Sequence, residues 1–256
     1  MYTTQIDHMH LNQIANSGQC FRWQQINDNT YKIPAFGKEL TISQDKNTFI
    51  LSCDENEWNS LWRNYFDLDI DYNEVENIIM NTDDDYLKAA YEFGSGIRIL
   101  RQDLWEVIVS FIISQNNNIP RIRKSIQKLC DEVGGRFPNY EEVMDMNLSD
   151  KGLGYRDKYL VDASYWWIAL GKYDTWMAEH DKDMKQYLLE VKGIGNKVAD
   201  CICLFGLHHL EAFPIDTRIK TILDREYNGE MPEWVGSKYA GLFQQYIFYY
   251  ELNHRE

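Results

Sequence analysis

Two textures of hydrophobic and polar positions divide the chain. Between residues 19 and 53, the runs TYKIPAF, ELTISQ and NTFILSC are β-branched or alternate apolar with polar positions, and INDNT reads as a turn. Several short strands in one antiparallel sheet is the economical reading. From about residue 57, apolar residues recur at spacings of three and four, as in EWNSLWRNYF, EVENIIM, DYLKAAYEFG, LWEVIVSFIISQ and IPRIRKSIQKLCDEVG. KYLVDASYWWIAL, DMKQYLLEV, NKVADCICLFGL, DTRIKTILDREY and KYAGLFQQYIFYYEL continue the same period, which is that of helices with one buried face. The expected class is α+β. A small N-terminal sheet domain spans 1–72, and a helical region in two subdomains spans 73–256.

Composition sharpens this picture. The chain has 256 residues, with 44% hydrophobic and 14% aromatic content, enough to fill a core. No run of 18 apolar residues occurs and the N-terminus MYTTQIDHMHLNQ has no apolar signal segment, so a cytoplasmic protein without a membrane span is expected. The 26 basic and 40 acidic residues give a net charge of −14. At first sight that excludes a polyphosphate partner. The charge is uneven, however. Residues 66–92 hold nine acids and one base, whereas residues 97–130 hold six bases and two acids. Solvated helix faces account for that asymmetry as well as a binding surface does. The five cysteines, at 20, 53, 130, 201 and 203, form no C-x-x-C pair, so zinc, iron–sulfur and thioredoxin-type chemistry is weak and no cofactor or catalytic metal is expected.

The segment LLEVKGIGNKVADCICLFGL, residues 188–207, carries the most chemistry. One apolar-periodic helix ends near Val191 and a second begins near Asn196, with Lys192-Gly193-Ile194-Gly195 between them. Gly193 and Gly195 permit positive φ and a close backbone approach. The free N–H groups at the start of the second helix, up to Val198, make an anion site. This is the helix-hairpin-helix pattern, placed near 185–207, in which main-chain amides grip a DNA phosphate. Amides grip without formal charge, so the net charge of −14 no longer argues against DNA. A plain connector closed by a C-cap glycine is the bland alternative. Nineteen residues after Lys197, within FPIDT, stands Asp216, a natural N-cap for the amphipathic helix that follows.

GIGNKVADCICLFGL followed by AFPIDTRI resembles the 8-oxoguanine DNA glycosylase family of base-excision enzymes that also act as abasic-site lyases. Ser17–Trp23 (SGQCFRW), Gln115–Arg121 (QNNNIPR) and Gly154–Arg156 (GYR) are similar to three further family blocks. With Gln244 and Phe248 the resemblance spans residues 17–248. It departs at Val191-Lys192, where the family usually has Leu-Pro; losing the proline removes a rigid approach to the turn. The resemblance implies a TBP-like antiparallel sheet on a helical body. It implies Lys197 as nucleophile and Asp216 as the second catalytic residue. Gly18, Cys201, Gln244 and Phe248 would recognise the excised base, Gly18 by a carbonyl that accepts the N7–H guanine lacks. Asn116 and Tyr155 would fill the gap left in the duplex, Arg121 and Arg156 would read the orphaned cytosine, and Arg218, two residues after Asp216, would touch a phosphate.

The chemistry then follows from the residue types. A base must leave the duplex before its glycosidic bond can be reached. A lysine near its ordinary value of about 10.4 is mostly inert at neutral pH, so attack needs a desolvated setting or the positive end of a helix. Lys197 and Cys201 are four apart and share a helix face. The expected protein is a monomeric DNA glycosylase with lyase activity. It acts on double-stranded DNA containing an oxidised purine, and associates with the nucleoid if the source is bacterial. Two alternatives stand beside it. One is an alkylated-purine glycosylase of the same superfamily, which would not use a lysine nucleophile. The other is a non-catalytic helix-hairpin-helix DNA-binding protein, which would need neither Lys197 nor Asp216.

Overall fold

The structure, a computed structural model, describes residues 1–170 and 179–254. Its described residues form two compact units, one from residues 1–101 with 208–254 and one from 102–207. This division follows compactness, whereas the division at 72/73 expected from the sequence follows the change in periodicity.

The first unit carries a five-stranded antiparallel sheet in the order β1-β5-β4-β3-β2, made of β1 (Tyr2–Gln5), β2 (Gln24–Asn27), β3 (Thr30–Ala35), β4 (Lys38–Asp45) and β5 (Thr48–Leu51). The period-2 pattern sets its faces. Tyr31, Ile33 and Ala35 of β3, Leu40 and Ile42 of β4, and Phe49 and Leu51 of β5 are buried in one cluster with Leu11, Ile14, Trp58, Trp62 and Phe66. The register Tyr31↔Ile42↔Leu51↔Tyr2 aligns that face across the sheet. β1 is the strand the sequence pattern does not announce. Its four residues, YTTQ, bury no side chain fully, and pairing with β5 rather than burial holds it.

Acids of the 66–92 stretch are used locally. Asp71 and Asp84 cap the helices Tyr72–Met80 and Asp85–Gly94 through the N–H groups of Asn73 and Leu87, and carboxylates are favoured at helix N-termini. Asp67 is fully buried and pairs with Arg101 Nε at 3.1 Å. Later in the unit, the helix Ala240–His254 lies against Asp85–Gly94. Gly94 is the point of close approach, since a Cβ there would stand 3.3 Å from the Tyr249 ring. Tyr91 and Tyr246 meet edge-to-face at 5.2 Å.

The second unit is helical: Leu104–Ser114, Ile119–Asp131, Tyr140–Asp145, Arg156–Ala169, Met184–Leu189 and Asn196–Phe205. Leu104–Ser114 buries eight residues, from Trp105 and Val107 to Ile113, on all sides, as a central helix must. Asn196–Phe205 packs against it, with Phe111 and Phe205 stacked at 5.3 Å. No described helix is long and apolar enough to cross a membrane.

Candidate active site

In the first unit the loop Ser17–Gln19 is pinned from three sides. Ser17 Oγ donates to Ile14 O at 2.8 Å, and Gln245 Nε2 donates to Ser17 O at 2.6 Å. The buried Gln19 amide donates to Ser17 Oγ and Arg98 O and accepts from Leu100 N–H. Between them Gly18 sits at φ +81°, and a Cβ there would come within 3.3 Å of Phe248 Cε1. A residue with a side chain would therefore be strained and crowd the ring. The Gly18 carbonyl accepts no hydrogen bond from the described residues. Phe248 is half-buried, unlike its neighbours Ile247 and Tyr249.

Gln244 stands one turn before Phe248 on the same helix, so both share a face. Its Nε2 donates to Pro214 O at 3.3 Å, whereas its Oε1 is buried with no partner among the described residues. An open buried acceptor costs about 1–3 kcal/mol, and a ligand donor would satisfy it. Pro214 leads into Asp216, whose Oδ1 accepts the Ile219 N–H at 2.9 Å and caps the helix Thr217–Glu226. Asp216 Oδ2 has no hydrogen bond among the described residues. A half-buried carboxylate is thus held by its own helix with one oxygen to spare. Arg218, two residues on, is exposed.

In the second unit the hairpin turn runs from Val191 to Gly195. Ile194 N–H bonds Val191 O at 3.0 Å, and the first intrahelical bond of the next helix is Ala199 N–H to Gly195 O at 2.9 Å. The N–H groups of Asn196, Lys197 and Val198 precede that bond, and no side chain caps them. Main-chain donors at a helix N-terminus are what the anion site expected from the sequence would need. The two glycines do different work, which corrects one expectation. Gly193 is at φ +93°, whereas Gly195 is at φ −96°, extended backbone open to any residue. A Cβ at Gly195 would meet no protein atom within 4 Å, while one at Gly193 would penetrate the Tyr159 ring at 2.3 Å. The ion pair Lys185–Asp200 at 2.7 Å ties the two hairpin helices together. Burial pushes the Asp200 carboxyl above the usual range, and Lys185 opposes that shift.

Lys197 lies on the first turn of that helix, half-buried, with Nζ 5.4 Å from the Phe111 ring centroid. Cys201, a buried thiol, follows one turn later. Asn116 sits beyond the helix Leu104–Ser114 at φ +46°, exposed, and its Nδ2 donates to Tyr155 Oη at 3.3 Å. Arg156 is buried, at 4% exposure, and holds this corner. Its Nε bonds Gln115 O at 2.9 Å, Nη2 bonds the Gln115 and Asn116 carbonyls, and Nη1 bonds Leu153 O. Its guanidinium also lies over the Tyr155 ring at 4.6 Å. Arg121 is exposed and makes no ion pair or side-chain hydrogen bond among the described residues.

Residues 1–108 match the family model of the 8-oxoguanine DNA glycosylase N-terminal domain. An N-glycosylase/DNA lyase of Saccharomyces cerevisiae is 28% identical over 85% of this chain and 68% of its own. The structure of MBOgg1 with a low-affinity DNA ligand superposes with a TM-score of 0.90 at 31% identity, covering 99% of this chain and 96% of that one. The Clostridium acetobutylicum 8-oxoguanine glycosylase/lyase, with double-stranded DNA carrying cytosine opposite 8-oxoG, gives 0.88 at 28% identity, over 100% of this chain and 99% of that one. The chain belongs to the 8-oxoguanine DNA glycosylase family.

Membership turns attention to residues the sequence reading passed over. Gln19 and Gln245 fix the Gly18 loop, and Pro214 supplies a carbonyl to Gln244. Gln19 lay inside a quoted motif, but nothing in SGQCFRW says that its amide bridges to Arg98 and Leu100. Gln245 beside Gln244 reads as a repeated polar residue, yet neighbours on a helix point about 100° apart and meet different partners.

Proposed function

We propose that the protein removes 8-oxoguanine from duplex DNA and then cleaves the strand, as a DNA glycosylase with abasic-site lyase activity. The observation that carries this reading is a lysine on the first turn of the helix behind the hairpin, within a near-full-length match to 8-oxoguanine glycosylase/lyase structures. The amides of 196–198 hold a phosphate, with Arg218 contributing charge at a second one. Asn116 and Tyr155 enter the stack as the damaged nucleotide leaves it. Arg121, with its free guanidinium, and Arg156 read the base left behind. Arg156 does so by releasing part of its carbonyl set.

The extruded base stacks on Phe248, the half-buried ring beside Gly18. Its N7–H donates to the open Gly18 carbonyl, and its pyrimidine-edge donors reach Gln244 Oε1. Guanine presents an acceptor at N7 and so opposes the Gly18 carbonyl. Lys197 Nζ, as the neutral amine, attacks C1′ of the deoxyribose. The N-glycosidic bond breaks and its electron pair leaves with the base, which takes up a proton. The Asp216 carboxylate stabilises the positive charge that develops on the sugar. The C1′–O4′ bond of the resulting aminal then opens, O4′ taking up a proton, which gives the Schiff base. This loses a C2′ proton, the C3′–O bond breaks by β-elimination with the 3′ phosphate leaving, and water frees Lys197.

Gln244→Leu fills the same space and removes the unpaired acceptor. It also gives up the 3.3 Å bond to Pro214 O, so the two changes offset and the thermal midpoint is expected to move little, while excision slows by about 10- to 100-fold. An unchanged rate would make Gln244 a packing residue. The function itself is tested by base excision on duplexes carrying 8-oxoguanine, 3-methyladenine or unmodified guanine opposite each of the four bases. Release of 8-oxoguanine, fastest opposite cytosine, is expected. Release of the alkylated base alone would overturn the assignment.

A further inference from the structure

We propose that Tyr159 is a positioning residue that couples the phosphate-gripping turn to the gap-filling pair. The proposal rests on the reading of the 193–198 hairpin as a phosphate clamp and of Asn116 and Tyr155 as the pair that enters the stack. Three contacts, all inside one compact unit, carry it. The half-buried Tyr159 ring occupies the place where a Gly193 side chain would be, with its Cγ, Cδ1 and Cδ2 2.3–2.7 Å from an ideal Cβ. The ring therefore lies directly on the backbone of the hairpin turn. The ring also meets Tyr155, edge-to-face at 5.7 Å and 75°. Tyr155 in turn accepts the Asn116 hydrogen bond at 3.3 Å.

One aromatic ring thus spans from the turn to the wedge. No gap separates the turn backbone at Gly193 from this ring, so a shift of the turn toward it on binding phosphate presses on the ring directly. Gly193 is glycine on two counts, its φ of +93° and the ring above it. The positive φ alone is met by any C-cap glycine; the ring is the feature peculiar to this turn. The Tyr159 hydroxyl makes no hydrogen bond among the described residues, so the ring rather than the phenol is the working part. Phosphate capture then favours the wedge geometry, and the wedge favours capture. Undamaged duplex, which resists opening, gains less from the grip alone.

A double-mutant cycle tests this, read as single-turnover excision of 8-oxoguanine opposite cytosine. Gly195→Ala puts a methyl group where no protein atom lies within 4 Å, on a backbone that tolerates it, and so disturbs the grip without disturbing the fold. Tyr155→Ala removes the wedge ring. In the parent protein the combined loss is expected to be smaller than the product of the two single losses by about fivefold or more, as coupled residues behave. In Tyr159→Leu the two losses multiply, and Tyr159→Phe restores the coupling. A ring that only fills space changes the thermal midpoint and leaves multiplicativity alone. Losses that multiply in the parent, where folding of a Tyr159 variant is not at issue, overturn the coupling and leave the site assignment standing. If neither single variant slows excision, the site assignment itself fails and the coupling falls with it.

Discussion

Lys197→Gln abolishes base excision, lowering the single-turnover rate by about three orders of magnitude or more, while binding of an 8-oxoguanine duplex changes by less than roughly tenfold. The two parts of this result have different origins. Excision fails because no other residue on the first turn of the helix Asn196–Phe205 carries an amine that can form the bond to C1′. An amide nitrogen is not a nucleophile, and Cys201, the neighbour one turn on, is a buried thiol. Binding survives because the proposed grip uses the main-chain N–H groups of residues 196–198, which the substitution leaves in place. Folding is also expected to survive. Lys197 makes no ion pair among the described residues, and its one ring contact is at 5.4 Å, a setting where substitutions shift stability by about 0.5 kcal/mol or less. Gel-shift affinity and excision measured on the same preparation separate the two. Loss of both together would make Lys197 a phosphate contact.

Asp216→Asn is expected to slow excision by about 10²- to 10³-fold without loss of stability. Asp216 serves two ends with two oxygens. Oδ1 caps the helix Thr217–Glu226, and asparagine caps about as well as aspartate. The negative charge is the part asparagine cannot supply, and removing one preorganised electrostatic partner of a developing charge costs rates of that order. Asp216→Ala removes both contributions and adds about 1 kcal/mol of lost capping. Multiple-turnover excision and thermal midpoints on the three proteins distinguish the roles. If Asn leaves excision unchanged, the residue is only a cap.

Much of this was legible in the sequence because its strongest signals are local. The alternation in TYKIPAF and TFIL marks strands that bury Tyr31, Ile33, Phe49 and Leu51, and the hairpin helix begins at Asn196 as its spacing implies. Asp216 was placed as a cap from one turn of sequence, and it is one. What escaped depends on partners distant in the chain. β1 exists because residues 2–5 find residues 48–51, and four polar residues carry no sign of that. Gly195 looked equivalent to Gly193, but the Tyr159 ring, 34 residues upstream of Gly193 in the chain, is what makes one glycine necessary and the other optional. Arg156 was read as a donor to a base edge from its place in a motif. In this structure its donors meet the carbonyls of Gln115, Asn116 and Leu153. That makes it a strut for the Asn116 corner before it can be a reader.

One covalent bond, between Lys197 Nζ and C1′ of the damaged nucleotide, distinguishes this chemistry from simple hydrolysis. Borohydride reduction during reaction with a duplex carrying 8-oxoguanine opposite cytosine, followed by peptide mapping of the trapped complex, locates it. The prediction is a single protein–DNA adduct on the peptide containing Lys197, absent with the unmodified guanine duplex. No adduct, or an adduct on another lysine, contradicts the account.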